Sequence, residues 1–152
     1  MTRFFWRMTM ISMCLCAPIS AWAGALDEAK TMVEDGRKLL AKAAKMRGKK
    51  KGPAYAEGLK KYAHAYVLIT NKKLQNDAPD LLTEIADQIA KANREPEVVK
   101  MQQALLAAAI DASVNGEMDK AYDALSSLRD LDPREWTVEY ALTVINGRME
   151  GG

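Results

Sequence analysis

The apolar positions of the chain recur at intervals of three and four residues, the spacing that places side chains on one face of an α-helix. Leu82, Ile85, Ala86 and Ile89 are a clear case. No segment shows a convincing alternation of β-branched residues, which would indicate a strand. The pattern therefore predicts an all-α protein.

Short polar segments that contain proline, glycine or asparagine divide this pattern into six predicted helices. They cover about residues 26–46, 54–73, 79–92, 96–114, 117–131 and 136 onward. Pro79 and Pro96 stand where proline is favoured, at the first position of a helix. Gly116 follows the fourth helix and predicts its end. Six helices joined by short turns predict antiparallel helical hairpins, arranged as a short α-solenoid or a small bundle.

Two further boundaries concern the last helix. The sequence "DPRE", residues 132–135, predicts a capping box with Pro133 at the first helical position. The final segment, residues 147–152, is expected to fray.

The fourth predicted helix is apolar on two faces. The first face carries Val98, Met101, Leu105, Ala108, Ala109 and Ala112, and the second carries Val99, Leu106 and Ile110. A helix with two apolar faces usually lies between neighbouring helices. The sequence therefore predicts that this helix is the centre of the fold.

The first 23 residues are typical of a secretory signal peptide. Arg3 and Arg7 precede an apolar run, and Ala21 and Ala23 have the small side chains that a cleavage site needs. An uncleaved anchor and an acylated lipoprotein cysteine are alternatives, but polar residues and Pro18 interrupt the run. Cleavage after Ala23 would leave one domain, residues 24–152, in the periplasm or outside the cell.

The predicted mature chain differs in composition from the whole chain. Without Arg3 and Arg7, the 22 basic side chains fall to the number of acidic ones, 20. Zero net charge argues against nucleic acid as a partner, and a membrane is expected to matter only for the signal peptide. Both cysteines lie before residue 24, so packing alone must hold this domain together.

Residues 102–133 resemble one tetratricopeptide repeat, a helix–turn–helix unit of about 34 residues. The matching positions are Leu105, Ala108, Ala109, Ala112, Gly116, Ala121, Leu125 and Pro133. Ala112 stands where the family usually has an aromatic residue. Gly58, Tyr62 and Ala65 form a second, degenerate match. The resemblance covers about half of the predicted mature chain and implies binding of another protein or a peptide segment.

In that family the first helices of the repeats line a groove that binds peptides or partner helices. The corresponding residues in this chain are Gln103, Leu106, Ile110 and Ser113. The alternative is that Leu106 and Ile110 are covered by other helices and belong to the core. The shortness of the chain favours this alternative, because few repeats leave little open groove.

Three other features have ordinary explanations. His64 has no cysteine or nearby carboxylate in the sequence with which to bind zinc or catalyse a reaction. The five basic residues of segment 45–53 are expected to be a solvated loop rather than a lipid-binding one. Tyr55, Tyr62 and Tyr66 are expected to be core residues rather than a sugar-binding surface.

The sequence thus predicts no catalytic residues, no metal site and no cofactor. It predicts an exported module that binds another protein, as an adaptor or assembly factor. The alternative is a periplasmic helical bundle that binds a lipid or a small apolar ligand, and an accessory subunit of an enzyme is a third hypothesis. Pairing of the unfinished solenoid with a second copy stays open.

Overall fold

The computed structural model describes the backbone of residues 17–151 and the side chains of residues 24–151. This part of the chain is all-α and contains no strand. Its helices are α1 Ala17–Ala44, α2 Lys51–Asn71, α3 Pro79–Ala92, α4 Pro96–Val114, α5 Met118–Leu131 and α6 Trp136–Glu150, with a short 3-10 turn at Gly48–Lys50. The predicted all-α fold is confirmed.

The boundaries of α3 and α4 lie at the predicted residues. Pro79 and Pro96 occupy the first turn of each helix. At the end of α4, Gly116 has φ 76°, a left-handed conformation that glycine adopts without strain. The Glu117 amide then donates to the Ala112 carbonyl oxygen at 2.8 Å, which closes a Schellman cap. This cap reverses the chain into α5.

The ends of the chain are more helical than the sequence pattern predicts. Helix α1 begins at Ala17 rather than near residue 26, and α6 continues past Gly147 to Glu150. The capping box predicted at residues 132–135 is wrong. Pro133 lies in the turn before α6, and Glu135 at the N-cap makes no capping hydrogen bond through its side chain. The Asp132 carboxylate is instead engaged by Arg134.

The centre of the fold is α2, and the prediction that the fourth helix occupies it is wrong. Helix α2 packs against α1, α3, α4 and α5. Tyr55, Leu59, Tyr62 and Ile69 of α2 are buried, which confirms that Tyr55 and Tyr62 are core residues. Tyr66 is partly buried and packs against the same core. Burial raises the pKa of the Tyr62 hydroxyl, and the neighbouring Glu84 carboxylate adds to this effect.

The buried side chains form two clusters. The larger joins α1, α2 and α3 and includes Val98 of α4 and Leu131 of α5. The smaller joins α4, α5 and α6, and it is made of Ala109, Ala112, Ala121, Ala124, Leu125, Leu142 and Ile145. Four of these seven residues are alanines, whose small side chains let α4 and α5 approach closely.

Candidate functional site

An open apolar groove runs between α4 and α6, with α5 as its floor. We call it the α4–α6 groove. The part near the ends of α4 and α6 has a volume of about 410 Å³ and is lined by Leu106, Ala109, Ile110, Ser113, Val114, Leu125, Tyr140, Ala141, Val144, Ile145 and Arg148. A second part of about 530 Å³ continues past Leu106 toward Val99, Gln103 and Val138. One part of the groove is lined by residues near the starts of α4 and α6, and the other by residues near their ends. The two helices therefore run in the same direction along the groove.

The alternative that Leu106 and Ile110 are covered by other helices and belong to the core is wrong. Leu106 is 50% exposed and Ile110 is 57% exposed. The reason lies in the packing order: α5 packs against α4 on one side and against α6 on the other. Helix α6 therefore stands beside α4 rather than over it, and the second apolar face of α4 stays in contact with solvent.

All four residues predicted to form a groove stripe line the α4–α6 groove. Gln103 lies in the part near the starts of α4 and α6, Leu106 joins the two parts, and Ile110 and Ser113 lie in the part near the ends of these helices. Ser113 is half-buried, while Gln103 is exposed. Their part in binding stays a prediction.

Three lining residues were missed by the sequence analysis. Val114 is 80% exposed, Tyr140 is 66% exposed and Val144 is 37% exposed. The available signal was that α6, like α4, carries apolar residues on more than one face. Tyr140 and Val144 form one row at helical spacing, while Leu142 and Ile145 form the buried row. Because α6 has two such rows, one of them had to remain uncovered or be covered by a partner.

A polar network holds the turn from which α6 starts. The Asp132 carboxylate accepts hydrogen bonds from Arg134 Nε and Nη2, both at 2.8 Å, and from Asn93 Nδ2 at 3.2 Å. Arg134 Nη1 also donates to the Ala86 carbonyl oxygen at 3.3 Å. The hydrogen bond that Arg134 donates to Asp132 is the main reason that the pKa of the Arg134 guanidinium is raised. The turn between α5 and α6 is therefore tied to the end of α3.

The groove is apolar in the middle and polar at its ends. Gln102, Gln103 and Glu135 stand at the end where α4 and α6 begin. Arg148 stands at the other end, and no ion pair engages it within residues 24–151. A ligand would therefore meet hydrocarbon in the centre and hydrogen-bonding groups at both ends, as in many sites that bind a peptide or small molecule.

His64 is brought close to a carboxylate that the sequence does not place near it. Its Nε2 lies 3.7 Å from Asp130 Oδ1, and the same carboxylate forms an ion pair with Lys60 Nζ at 3.0 Å. His64 and Asp130 border a wide depression of about 850 Å³ beside α2 and α5. Among the described side chains, no group of three His, Cys, Asp or Glu residues is placed to hold a metal ion.

The basic segment 45–53 is mostly exposed, and one of its residues has a structural role. Lys51 Nζ lies 3.0 Å from Glu95 Oε2, 3.6 Å from Glu97 Oε2 and 5.7 Å from the centre of the Tyr55 ring. These contacts link the start of α2 to the start of α4. The hydrogen bond to Glu95 is the main cause that raises the pKa of the Lys51 ammonium group.

The predicted signal peptide, residues 1–23, lies outside the described side chains, and this includes Ala21 and Ala23 of the cleavage site. Helix α1 includes the backbone of both residues. Within the described residues, no helix has both the length and the apolar character needed to cross a membrane.

Comparison of the chain with protein-family models, with curated proteins and with solved structures gave no match.

Proposed function

We propose that this protein is an exported helical-hairpin module, similar to a tetratricopeptide repeat protein, that binds another protein in the α4–α6 groove. The observation that carries this proposal is the row of solvent-exposed apolar side chains on both walls of one groove. Leu106, Ile110 and Val114 form the α4 wall, and Tyr140 and Val144 form the α6 wall. An exposed apolar patch of this kind, edged by polar groups, marks an interaction site more often than a free surface.

The shape of the groove favours a helix or an extended segment as the bound element. From Val99 to Val114, α4 offers a wall about 22 Å long, at a rise of 1.5 Å per residue. That length accommodates about four turns of an amphipathic helix, whose apolar face would enter the groove. Arginine and the amide side chains at the ends of the groove would then bind the polar flanks of that segment.

The test is chemical cross-linking and affinity capture of the tagged full-length protein from its own cells. A Leu106→Asp, Ile110→Asp variant places two charges in the groove. Because both side chains are at least half exposed, we expect the variant to fold, with circular dichroism and a Tm close to those of the unchanged protein. We expect it to lose one specific captured protein by tenfold or more.

The matched control is an Ala104→Asp, Ala108→Asp variant. It adds the same charges to the same helix at exposed positions that do not line the groove. We expect this variant to capture the same proteins as the unchanged chain. Equal capture by the groove variant and the control would disprove binding in the groove.

A lipid or a small apolar ligand is the second candidate, because the part of the groove near the ends of α4 and α6 has a volume in the usual range for such sites. Organic extraction of the purified protein, followed by mass spectrometry, separates the two hypotheses. A hydrophobic molecule at one per chain, absent from the groove variant, would support the ligand-binding hypothesis over the protein-binding one.

A further inference from the structure

The α1–α2 loop and the α3–α4 turn adjoin at one end of the molecule. Lys51, at the start of α2, holds its Nζ 3.0 Å from Glu95 Oε2 and 3.6 Å from Glu97 Oε2. A cavity of about 200 Å³ is lined both by Ala44, at the end of α1, and by Lys91, near the end of α3. Basic residues from two segments that are far apart in the sequence therefore share one surface.

Most of the basic residues at this end have no acidic partner. Residues 42–51 and 91–100 together hold nine basic and two acidic side chains. The two acidic ones, Glu95 and Glu97, are already engaged by Lys51. Six of the other basic side chains are exposed and form no ion pair with any side chain of residues 24–151. We call these six the basic end: Lys45, Arg47, Lys49, Lys50, Lys91 and Arg94.

The zero net charge of residues 24–152 hides this concentration of positive charge. Outside the two segments, that range has 11 basic and 18 acidic residues. Acidic residues such as Asp77 and Asp80 lie beyond the other end of α2, a helix of 21 residues and thus about 30 Å long. Since the Debye length at physiological salt is about 8 Å, charges at that distance are screened from a surface that touches the basic end. Such a surface would meet a positively charged protein.

The fold enlarges the basic surface beyond the loop that the sequence shows. One of the five basic residues of segment 45–53, Lys51, is engaged in ion pairs. Lys91 and Arg94, from the end of α3 and the turn after it, add two exposed charges at the same end. Clusters of about four to eight basic residues at a membrane are typical of proteins that bind anionic headgroups. Six exposed charges without partners lie within that range.

The composition of the basic end fits a lipid surface better than a protein partner. Four of its six residues are lysines, whose flexible point charges suit phosphates that have no fixed arrangement. Protein interfaces are instead depleted in lysine and bind through a buried apolar or aromatic centre. Among the described side chains, no large apolar residue of segments 42–51 and 91–98 is exposed.

We propose that this protein binds the surface of a bilayer that contains anionic phospholipids through its basic end. The basic side chains contact the headgroups, and no part of the basic end enters the hydrocarbon, because it carries no exposed apolar residue. Binding is therefore electrostatic, reversible and sensitive to salt. This inference does not rest on the α4–α6 groove, and its failure would leave the proposed function intact.

The test is co-sedimentation with lipid vesicles of protein purified from cells that express the full chain. About one lipid in three is phosphatidylglycerol in the first set of vesicles, and all lipids are phosphatidylcholine in the second. We expect binding to the anionic vesicles to be about tenfold tighter or more. That difference should disappear when the salt concentration rises from about 0.05 M to about 0.5 M.

A variant of the α1–α2 loop tests the largest part of the basic end: Lys45→Gln, Arg47→Gln, Lys49→Gln, Lys50→Gln. It should bind anionic vesicles at least about a hundredfold more weakly, since each basic residue contributes a factor of about five. The matched control removes four exposed lysines outside both segments: Lys30→Gln, Lys72→Gln, Lys73→Gln, Lys120→Gln. The control has the same net charge, and its binding should stay within about twofold of the unchanged protein. A leader that remains on the protein acts equally in both variants.

Two further measurements test the place of the basic end in the fold. Lys91→Gln, Arg94→Gln should weaken binding by about tenfold or more, because these residues share the surface with the loop. Fluorophores are attached to Ala44→Cys or to Asn76→Cys in chains where Cys14 and Cys16 are serines, since the rest of the chain has no cysteine. Both positions are exposed, and only the first lies at the basic end. Energy transfer to a labelled headgroup should be stronger from position 44.

Each of four outcomes would overturn the proposal. They are equal binding to anionic and neutral vesicles, equal losses in the loop variant and its control, unchanged binding of Lys91→Gln, Arg94→Gln, and stronger energy transfer from position 76. Tighter binding to double-stranded DNA than to the anionic vesicles at the same salt would also overturn it, and would assign the basic end to nucleic acid. Circular dichroism of every variant shows that the changes act on binding rather than on folding.

Discussion

Replacing Gly58 with leucine is expected to lower the free energy of unfolding by about 3 kcal/mol, the upper part of the range for overpacked cores. A Cβ atom at this position would lie 2.6 Å from Leu40 Cδ2 and 3.2 Å from the Leu40 backbone nitrogen. The first contact could be relieved by a rotation of the Leu40 side chain, but the second involves backbone. Helices α1 and α2 would have to separate, and they form the largest interface of the fold.

The measurement is denaturation by urea, followed by circular dichroism at low micromolar protein concentration. Gly147→Leu is the matched control, because a side chain there enters open space. The control should be as stable as the unchanged protein or about 0.5 to 1 kcal/mol more stable, since leucine favours a helix more than glycine does. Adding Leu40→Ala to Gly58→Leu should recover part of the lost free energy of unfolding, because it removes the Leu40 side chain that the new leucine would overlap. Equal midpoints for Gly58→Leu and the unchanged protein would contradict the close approach of α1 and α2.

Replacing Leu142 with alanine is expected to release α6 from the rest of the fold while α1, α2 and α3 stay packed. Leu142 is 4% exposed and lies in the smaller cluster, where it and Ile145 are the buried residues of α6. Removing a buried leucine side chain costs about 2 to 5 kcal/mol. Because α6 packs chiefly on α5, this loss falls on α6 rather than on the larger cluster.

Amide hydrogen exchange measured by mass spectrometry reports this effect peptide by peptide. Peptides from residues 136–150 should exchange at least tenfold faster in Leu142→Ala, since each 1.4 kcal/mol corresponds to a factor of ten. Peptides from α1 and α2 should be unchanged. Tyr140→Ala is the control on the same helix, because Tyr140 is 66% exposed and contributes little to the cluster. Faster exchange throughout the chain would show that the two clusters unfold as one unit.

The release of α6 also connects stability with the proposed function. Tyr140 and Val144 form one wall of the α4–α6 groove, and they keep their position only while Leu142 and Ile145 anchor α6. We therefore expect Leu142→Ala to weaken capture of a partner, although Leu142 itself does not line the groove. The larger cluster would remain intact in that variant.

Local sequence was sufficient to predict the helices wherever it contains residues with strong backbone preferences. Pro79 and Pro96 begin α3 and α4 at the predicted residues, and Gly116 ends α4 because it can adopt a positive φ. Where the residues have weaker backbone preferences, the prediction failed. "DPRE" fits a capping box in sequence, yet Asp132 forms its hydrogen bonds with Arg134 and with Asn93, a residue distant in the chain.

The position of the candidate site was only partly predictable. Spacing alone places Gln103, Leu106, Ile110 and Ser113 on one face of α4, and this holds for any helix with that sequence. Spacing also shows that α4 has two apolar faces. It cannot say which of them a neighbouring helix covers, since either face could bury its apolar surface equally well.

The sequence by itself therefore determined the number of helices, most of their ends and which side chains share a face, because these depend on backbone preferences and helical periodicity within each segment. Only the tertiary structure decided that α2 rather than α4 is central, and that α6 packs on α5 beside α4. That choice depends on contacts between distant segments: small residues such as Ala109 and Ala121 let α4 and α5 approach closely, and Asp132 ties the start of α6 to the end of α3. The open groove with Leu106 and Ile110 on its wall is the result of that packing.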